Sequence, residues 1–402
     1  MRIPASSPSL NEDDFNALHK AIDDGMLTEW KMCAKFSKAF SEYVNQKHTI
    51  LVNSGSSANF IAIRSLLDLH PGKLILTTAT AFPTTVAPIY QHGCIPVYID
   101  IDPDTLSPNI GQLDYMIDRY GHSICGAIFT HTLGFPYDEP LVKEILGDRW
   151  LIADSCDALG SSVRGLPVGT WADASTHSFF PAHHICGGQA GAITTNNSEL
   201  AKIANQYIRW GRDCLCLPGQ DNVCGKRFEQ GFESLPDGWD HKYTFTKLGY
   251  NMQITEPSGA LLYSQLMRIN LFVDARNNNF SALKYGLRDF RGYLRFTSTP
   301  EWSSPSPFGF PIIVRNKIKN LTGDLIAHLE ENGVATRRMF GGNLTRQPAF
   351  ENLSYVKAPD LEGSDKIMNQ GFWIGCHPNI TDENIDWIVK VFEEFFDERN
   401  LY

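Results

Sequence analysis

The chain has 402 residues, of which 43% are hydrophobic and 20% are charged. At about 150 residues per domain, this length predicts two or three domains, and the chain is long enough to bury a large core. The 35 Lys and Arg residues against 45 Asp and Glu residues give a formal net charge of −10, which disfavours nucleic acid as a partner because phosphates would be repelled. No apolar run approaches the roughly 18 residues of a membrane helix, and the first residues lack a signal-peptide pattern. We therefore expect a cytoplasmic protein without a membrane partner.

Short apolar strands alternate with helical patterns through the first half of the chain. The predicted strands are rich in Ile, Leu and Val, as is typical of buried parallel strands. They lie at 73–78, 95–100, 125–131 and 150–155. Helices long enough to connect them are predicted at 84–92, 110–119 and 139–146. This alternation predicts an α/β fold with a doubly wound, mostly parallel sheet.

A long loop and a second, smaller unit follow. Two strands near 177–196 and a helix at 199–209 complete the first unit, whereas Pro and Gly break any period over 214–243. A loop of that length is usually functional. After a helical pattern over 259–280, the second unit has predicted strands at 293–299, 309–314 and 371–376 and predicted helices at 321–332 and 381–396. We predict a large domain over 1–256 and a small C-terminal α/β domain over 257–402.

The turn at residues 53–57 joins a short strand to a helix and is a candidate phosphate site. Gly55 permits a tight turn, and the start of the following helix offers free N–H groups to an anion. A plain helix cap explains the same residues. However, Asp154 ends a predicted parallel strand, where ligands of such sheets bind, and Ser178 and His183 follow the next one. Together these side chains predict a site for a pyridine cofactor.

Six segments, in order, carry a resemblance to a known family: SGSSAN, AFPTTV, IADSCDALGS, SFFPAHH, GYNMQITE and TRRMFGGNLTRQP. They resemble the nucleotide-sugar aminotransferases of the DegT/DnrJ/EryC1/StrS family over nearly the whole chain. The resemblance implies the aspartate-aminotransferase-like fold type I of enzymes that use pyridoxal phosphate (PLP). The large domain would then bind the cofactor.

The same resemblance implies roles for individual residues. Asp154 would pair with the protonated ring nitrogen and Phe82 would stack on the ring. Asn251 would reach the phosphate of a neighbouring subunit, which implies a homodimer. The full set of implied cofactor-binding residues is Gly55, Ser56, Ser57, Phe82, Asp154, Asp157, Ser178 and Asn251.

His183 marks a departure from the transaminases of this family, which read Ser-Phe-x-x-x-Lys and bind the cofactor through the lysine. An imidazole forms no stable imine with an aldehyde, but it can act as a base near neutral pH. With histidine at this position, the segment resembles that of the sugar 3-dehydratases that use pyridoxamine phosphate (PMP). That similarity implies that His183 removes a proton from C4′ of the cofactor while a 4-keto sugar loses its C3 hydroxyl. An inactive transaminase is the alternative.

Cys156, Cys214, Cys216 and Cys224 have the spacing Cys-x57-Cys-x-Cys-x7-Cys. Taken as residues alone, they fit ordinary thiols, structural zinc or an iron–sulfur cluster. The spacing resembles the [2Fe-2S] ligand pattern of the CDP-sugar type of 3-dehydrase, which implies that all four are metal ligands. Cys156 follows Asp154 by two residues, about 7 Å on an extended chain, so a cluster bound there would lie near the cofactor ring.

A cluster at this position implies an external source of electrons. The chain lacks a G-x-G-x-x-G segment after its predicted strands, which is the usual signal for binding NAD(P)H. We therefore expect a separate NAD(P)H-dependent flavin iron–sulfur reductase, with flavodoxin or ferredoxin as a possible substitute.

The resemblance also implies a nucleotide-linked 4-keto-6-deoxyhexose as substrate, in particular CDP-4-keto-6-deoxy-D-glucose, on a route to 3,6-dideoxysugars. Arginine side chains suit a diphosphate. The candidate substrate contacts are Arg337, Arg338, Asn343 and Arg346. Two alternatives stay open: a cluster-free hydrolytic 3-dehydratase, and a non-catalytic homologue that binds a nucleotide sugar.

Overall fold

A computed structural model describes residues 2–216, 220–229, 231–315 and 320–400. Its helices lie largely where apolar periodicity predicts them. In chain order they are α1 (Glu12–Asp23), α2 (Lys31–Tyr43), α3 (Gly55–Leu69), α4 (Pro83–Gln91), α5 (Ile110–Tyr120), α6 (Glu139–Leu146), α7 (Ser198–Ile208), α8 (Glu256–Leu266), α9 (Ile269–Gly286), α10 (Leu321–Glu331), α11 (Glu362–Gln370) and α12 (Asp382–Asp397).

The strands include five that are only two residues long. In chain order they are β1 (His48–Val52), β2 (Leu74–Thr78), β3 (Ile95–Ile99), β4 (Ile124–Thr130), β5 (Trp150–Asp154), β6 (Ser162–Val163), β7 (Leu166–Pro167), β8 (Ala174–Ser178), β9 (Gly191–Thr195), β10 (Leu294–Phe296), β11 (Ser303–Ser304), β12 (Gly309–Val314), β13 (Thr336–Arg337), β14 (Val356–Lys357) and β15 (Gly371–Gly375).

The large sheet has the order β1-β9-β8-β5-β4-β2-β3-β14. The pairs from β8 through β5, β4, β2 and β3 to β14 are parallel, whereas β9 is antiparallel to both β8 and β1. Apolar side chains of α3 and α7 pack in one cluster on the sheet, and those of α5 and α6 pack in another. Helices on both faces confirm the predicted doubly wound, mostly parallel architecture.

A smaller antiparallel sheet, of order β10-β12-β15-β13, forms the C-terminal unit. Its core includes Leu325 of α10 and Ile388 and Phe392 of α12, which are fully buried. The helices predicted at 321–332 and 381–396 are confirmed as α10 and α12.

The helical pattern predicted over 259–280 is confirmed, and it comprises two helices, α8 and α9. The helical backbone is interrupted at Arg268 (φ −115°, ψ 7°), whose guanidinium pairs with the buried Asp14 of α1. Helix α8 shares an apolar cluster with α2, through Leu262, Phe36 and Phe40. The boundary at residue 257 stays a prediction.

Within the described ranges, no helix has both the length and the apolarity needed to span a membrane.

Candidate active site

Asp154 lies at the carboxyl end of β5, near the middle of the large sheet, and is buried. Its Oδ2 accepts hydrogen bonds from Asn59 Nδ2 at 2.9 Å and from Thr85 Oγ1 at 2.7 Å. Its Oδ1 accepts one from the Cys156 N–H at 3.3 Å. The carboxylate is therefore fixed in one orientation at the edge of the sheet where parallel α/β folds bind ligands.

The first turn of α3 lies beside the strand ends. Ser54 caps the helix by accepting the Ser57 N–H at 3.1 Å, and Ser56 Oγ donates to Thr84 Oγ1 at 2.9 Å. A Cβ atom at Gly55 would lie 2.7 Å from Cβ of Ser178. The structure thus brings Gly55, Ser56, Ser57 and Ser178 together around a helix N-terminus, as an anion site requires.

Phe82 precedes α4, is half exposed, and is not packed into the core. Its ring meets that of Phe340 edge to face, with centroids 6.2 Å apart. The Leu344 N–H donates to Ala79 O at 2.9 Å. These contacts attach the loop 339–347 of the small unit to the rim of the candidate cofactor site.

The candidate base, His183, lies in a turn between β8 and β9, where its N–H donates to Phe180 O at 2.9 Å. Its Nδ1 lies 3.4 Å from Oδ1 of Asp157, and its ring is 5.1 Å from that of Phe308. Burial, with a further contribution from Arg276, lowers the pKa of His183 to about 3. The imidazole is therefore neutral near pH 7 and able to accept a proton.

Asp157 faces His183, although the resemblance places it among the cofactor-binding residues. Burial, reinforced by the nearby Asp154 carboxylate, raises the pKa of Asp157 to about 8. A binding role toward the cofactor stays a prediction for this residue. The geometry adds a contact with the candidate base.

Three buried polar residues of this site were missed at the level of sequence: Asn59, Thr85 and Thr176. Asn59 Oδ1 accepts a hydrogen bond from Thr176 Oγ1 at 2.6 Å. The one sequence signal was Asn59 itself, a polar residue within the apolar stretch Ala58–Ile63. A buried amide among apolar residues needs partners.

Asn251 lines a different cavity, of about 480 Å³, together with Glu29, Arg209, Cys214 and Cys216. Its Oδ1 accepts a hydrogen bond from Gln253 Nε2 at 3.2 Å. The structure does not place Asn251 with Asp154 and Ser178 within one chain. Its contact with a second subunit stays a prediction.

The predicted cysteine tetrad is not assembled in the described part of the chain. Cys156 adjoins the cofactor site, since a Cβ at Gly55 would lie 2.9 Å from its Sγ. Cys214 is buried, Cys216 is half-buried and Cys224 is exposed. Burial raises the pKa of the Cys214 thiol, and the neighbouring Cys216 and Cys224 thiols raise it further. Among the described residues, no three or more His, Cys, Asp or Glu side chains are grouped to hold a metal ion. As placed, these residues do not fit a [2Fe-2S] cluster.

The candidate substrate residues divide into two groups. Arg337 and Arg338 are exposed, and each donates one hydrogen bond to a backbone carbonyl, of Thr336 and Gly371. Asn343 is buried, and it shares Oδ1 of Asp365 with Arg346, at 2.9 and 3.0 Å. Asn343 therefore attaches the loop 339–347 to α11, which its predicted substrate contact did not anticipate.

Comparisons with known proteins agree with this geometry. The chain matches the DegT/DnrJ/EryC1/StrS aminotransferase family over residues 8–393. It is 41% identical to the lipopolysaccharide biosynthesis protein RfbH of Salmonella typhimurium, over 98% of this chain and 92% of that protein. It is 39% identical to dTDP-4-dehydro-2,6-dideoxy-D-glucose 3-dehydratase of Saccharopolyspora spinosa, over 98% of this chain and 86% of that protein.

Among solved structures, the chain is similar to Escherichia coli GDP-4-keto-6-deoxy-D-mannose-3-dehydratase with bound hydrated PLP. The TM-score is 0.86 at 25% identity, covering 97% of this chain and 99% of that one. The predicted fold type I of PLP-dependent transferases is thereby confirmed.

Proposed function

Because the chain belongs to the DegT/DnrJ/EryC1/StrS aminotransferase family, we propose that it is a PLP- or PMP-dependent 3-dehydratase of a nucleotide-linked 4-keto-6-deoxyhexose. One observation carries the proposal: a neutral histidine, His183, contacts Asp157 and the backbone of Cys156, and Cys156 adjoins Gly55 at the start of α3. A transaminase needs an amine there to bind the cofactor covalently, and an imidazole cannot serve. The 39% identity to a named 3-dehydratase supports the same activity.

The residues of the site fit the cofactor. The start of α3, with Ser56, Ser57 and Ser178, would hold the phosphate. Asp154 would pair with the pyridine nitrogen, and Phe82 is exposed enough to stack on the ring. When bound, the cofactor supplies an electron sink for cleavage at the neighbouring sugar carbon.

The protein residues then have separate roles. Nδ1 of His183 is directed at Asp157, so Nε2 is the nitrogen available to accept a proton from C4′ of the cofactor. Arg337 and Arg338 are exposed cations next to the loop 339–347 and would bind the diphosphate of the nucleotide. As the sugar we propose CDP-4-keto-6-deoxy-D-glucose, and the protein would act as a homodimer in the cytoplasm.

The function is tested with purified protein, PMP and nucleotide-linked 4-keto-6-deoxyhexoses carrying different bases. Loss of the C3 hydroxyl, followed by mass spectrometry, and exchange of the C4′ proton in D2O are the expected results. Transfer of an amino group from glutamate to the sugar with the C3 hydroxyl retained would identify an aminotransferase instead. Binding of the nucleotide sugar with neither reaction would identify a non-catalytic homologue.

The [2Fe-2S] cluster and a partner reductase remain a further proposal that rests on the cysteine spacing. Since the described cysteines are not grouped as a metal site, we assign no step to a cluster. The cluster-free hydrolytic 3-dehydratase is the second candidate, and the placement of the cysteines favours it.

Anaerobic purification with iron and sulfide analysis separates the two candidates. For a cluster, replacing any of Cys156, Cys214, Cys216 or Cys224 by Ser lowers the iron content, whereas Cys33→Ser does not. The stable 3-deoxy-4-keto product would then require NADH and a competent reductase. Zinc without iron, or full turnover without a reductant, supports the cluster-free enzyme.

A further inference from the structure

One oxygen of the Asp154 carboxylate, Oδ2, already accepts two hydrogen bonds. Asn59 Nδ2 and Thr85 Oγ1 both donate to Oδ2, at 2.9 and 2.7 Å. Oδ1 accepts the longer backbone bond from the Cys156 N–H, at 3.3 Å, and the Cys156 thiol, which also contacts the carboxylate, is only a weak donor. Since a carboxylate oxygen has about two lone-pair directions, Oδ1 is the oxygen that a strong donor can still reach.

The orientation of the Asn59 amide is determined by its surroundings. A carboxylate only accepts hydrogen bonds, so the amide nitrogen, and not the amide oxygen, must face Asp154. Thr176 Oγ1 donates to the other end of the amide at 2.6 Å. Asn59, Asp154 and Thr176 are all buried, which leaves this chain of hydrogen bonds without competing water.

Asn59 also links the two ends of the candidate cofactor site. It lies four residues after Gly55 on α3, a helical rise of about 6 Å. The same helix therefore carries the phosphate cradle at its start and a donor to Asp154 one turn later. Ser56 and Thr84 tie α3 to α4 at the phosphate end, at 2.9 Å, while Asn59 and Thr85 meet at Asp154.

We propose that Asn59 and Thr85 are positioning residues that direct Oδ1 of Asp154 toward the pyridine nitrogen and set its distance from the phosphate cradle. The inference rests on the cofactor of the proposed function, and not on the identity of the sugar. Helices α3 and α4 would thereby act together, since they hold both ends of one rigid ligand at a fixed separation.

A double-mutant cycle tests whether Asn59 acts through Asp154. The dissociation constant of PMP is measured by absorbance titration for wild type, Asn59→Leu, Asp154→Asn and the double variant. Asn59→Leu is expected to weaken PMP binding tenfold or more in the wild-type chain, but less than threefold when Asp154 is already Asn. The absorption maximum of bound PMP should shift in the same direction in both single variants. Equal factors in the two backgrounds, or an unshifted spectrum, would overturn the inference.

Thr85 offers a milder test if Asn59→Leu does not fold. Thr85→Ser retains the hydroxyl and should bind PMP as the wild type does, whereas Thr85→Val, which loses the donor to Asp154, should bind it several-fold more weakly. Equal binding by Ser and Val variants would remove Thr85 from the proposal. Failure of the wild-type chain to bind PMP or PLP would overturn the proposed function as well. Additivity in the cycle would overturn only this inference.

Discussion

Nδ1 of His183 lies 3.4 Å from Oδ1 of Asp157, and this nitrogen has no hydrogen-bond partner among the described side chains. Since Nδ1 faces the carboxyl, the proposed function assigns proton transfer to Nε2. His183→Ala should bind PMP but lose exchange of the C4′ proton by about a hundredfold or more, the usual contribution of a general base. NMR in D2O measures the exchange. His19→Ala, on the exposed face of α1, is the control, and undiminished exchange in His183→Ala would exclude the histidine as the base.

Asp157→Asn separates two roles for this carboxyl. If Asp157 orients His183, the variant should exchange the C4′ proton roughly tenfold more slowly while its affinity for PMP stays unchanged. If Asp157 instead binds the cofactor, as the family resemblance implies, PMP affinity should fall. Titration with PMP and the D2O exchange rate, measured on the same preparation, distinguish the two results.

Gly55→Ala tests the close approach at the phosphate cradle. The new Cβ would lie 2.7 Å from Cβ of Ser178 and 2.9 Å from Sγ of Cys156, so α3 or β8 must shift. We expect PMP binding to weaken at least tenfold.

Gly323→Ala is the matched control for this substitution, because Gly323 lies in the first turn of α10 and an added Cβ would meet no described atom outside its own helix within 4 Å. It should leave PMP binding unchanged and stabilise the protein by roughly 0.5–1 kcal/mol. Calorimetry gives the stability of both variants. Normal PMP binding by Gly55→Ala would show that the cradle tolerates the shift.

His177 should make the protein sensitive to acid. Burial, with a smaller contribution from His131, lowers the pKa of His177 to about 3, whereas the unfolded value is near 6.5. The unfolded state therefore binds the proton first. The contribution of His177 to the free energy of unfolding is complete above about pH 6.5. It is lost as pH falls toward 3, by up to about 1.4 kcal/mol per pH unit.

His177→Phe removes this titration and keeps an aromatic ring against Phe40, whose centroid lies 5.0 Å away. Its unfolding free energy, from urea titrations between pH 7 and pH 4, should fall less steeply than that of the wild type. Parallel pH dependences would show that His177 is not the responsible group.

The fold was accessible from the sequence because strongly periodic segments have few alternatives. The strand predicted at 150–155 appears as Trp150–Asp154, and the helix predicted at 139–146 appears as Glu139–Leu146. The helical pattern over 259–280 did not show where one helix ends and the next begins, because the break lies at Arg268, which pairs with Asp14, a residue more than 250 positions away. Hydrophobic periodicity contains no information about such a partner.

The cysteines show that a sequence pattern alone does not determine which residues meet in the folded chain. Their spacing is a property of the sequence and resembles a cluster motif, yet the described backbone places Cys156 beside Gly55 and Cys214 in a separate cavity. Spacing along a loop of this length does not determine distance, because loop geometry depends on the contacts that the loop makes.

The sequence by itself determined the alternation of strands and helices, the turn at Gly55, and the types of side chain at the strand ends, Asp154, Ser178 and His183. These follow from local periodicity and from the chemistry of single residues. Only the tertiary structure decided which polar groups meet: Asn59 and Thr85 at Asp154, and Asp157 at His183. Side chains on α3 and α4 can approach a carboxylate at the end of β5 only after the sheet and its helices have packed, because burial is what obliges each of these groups to find a partner.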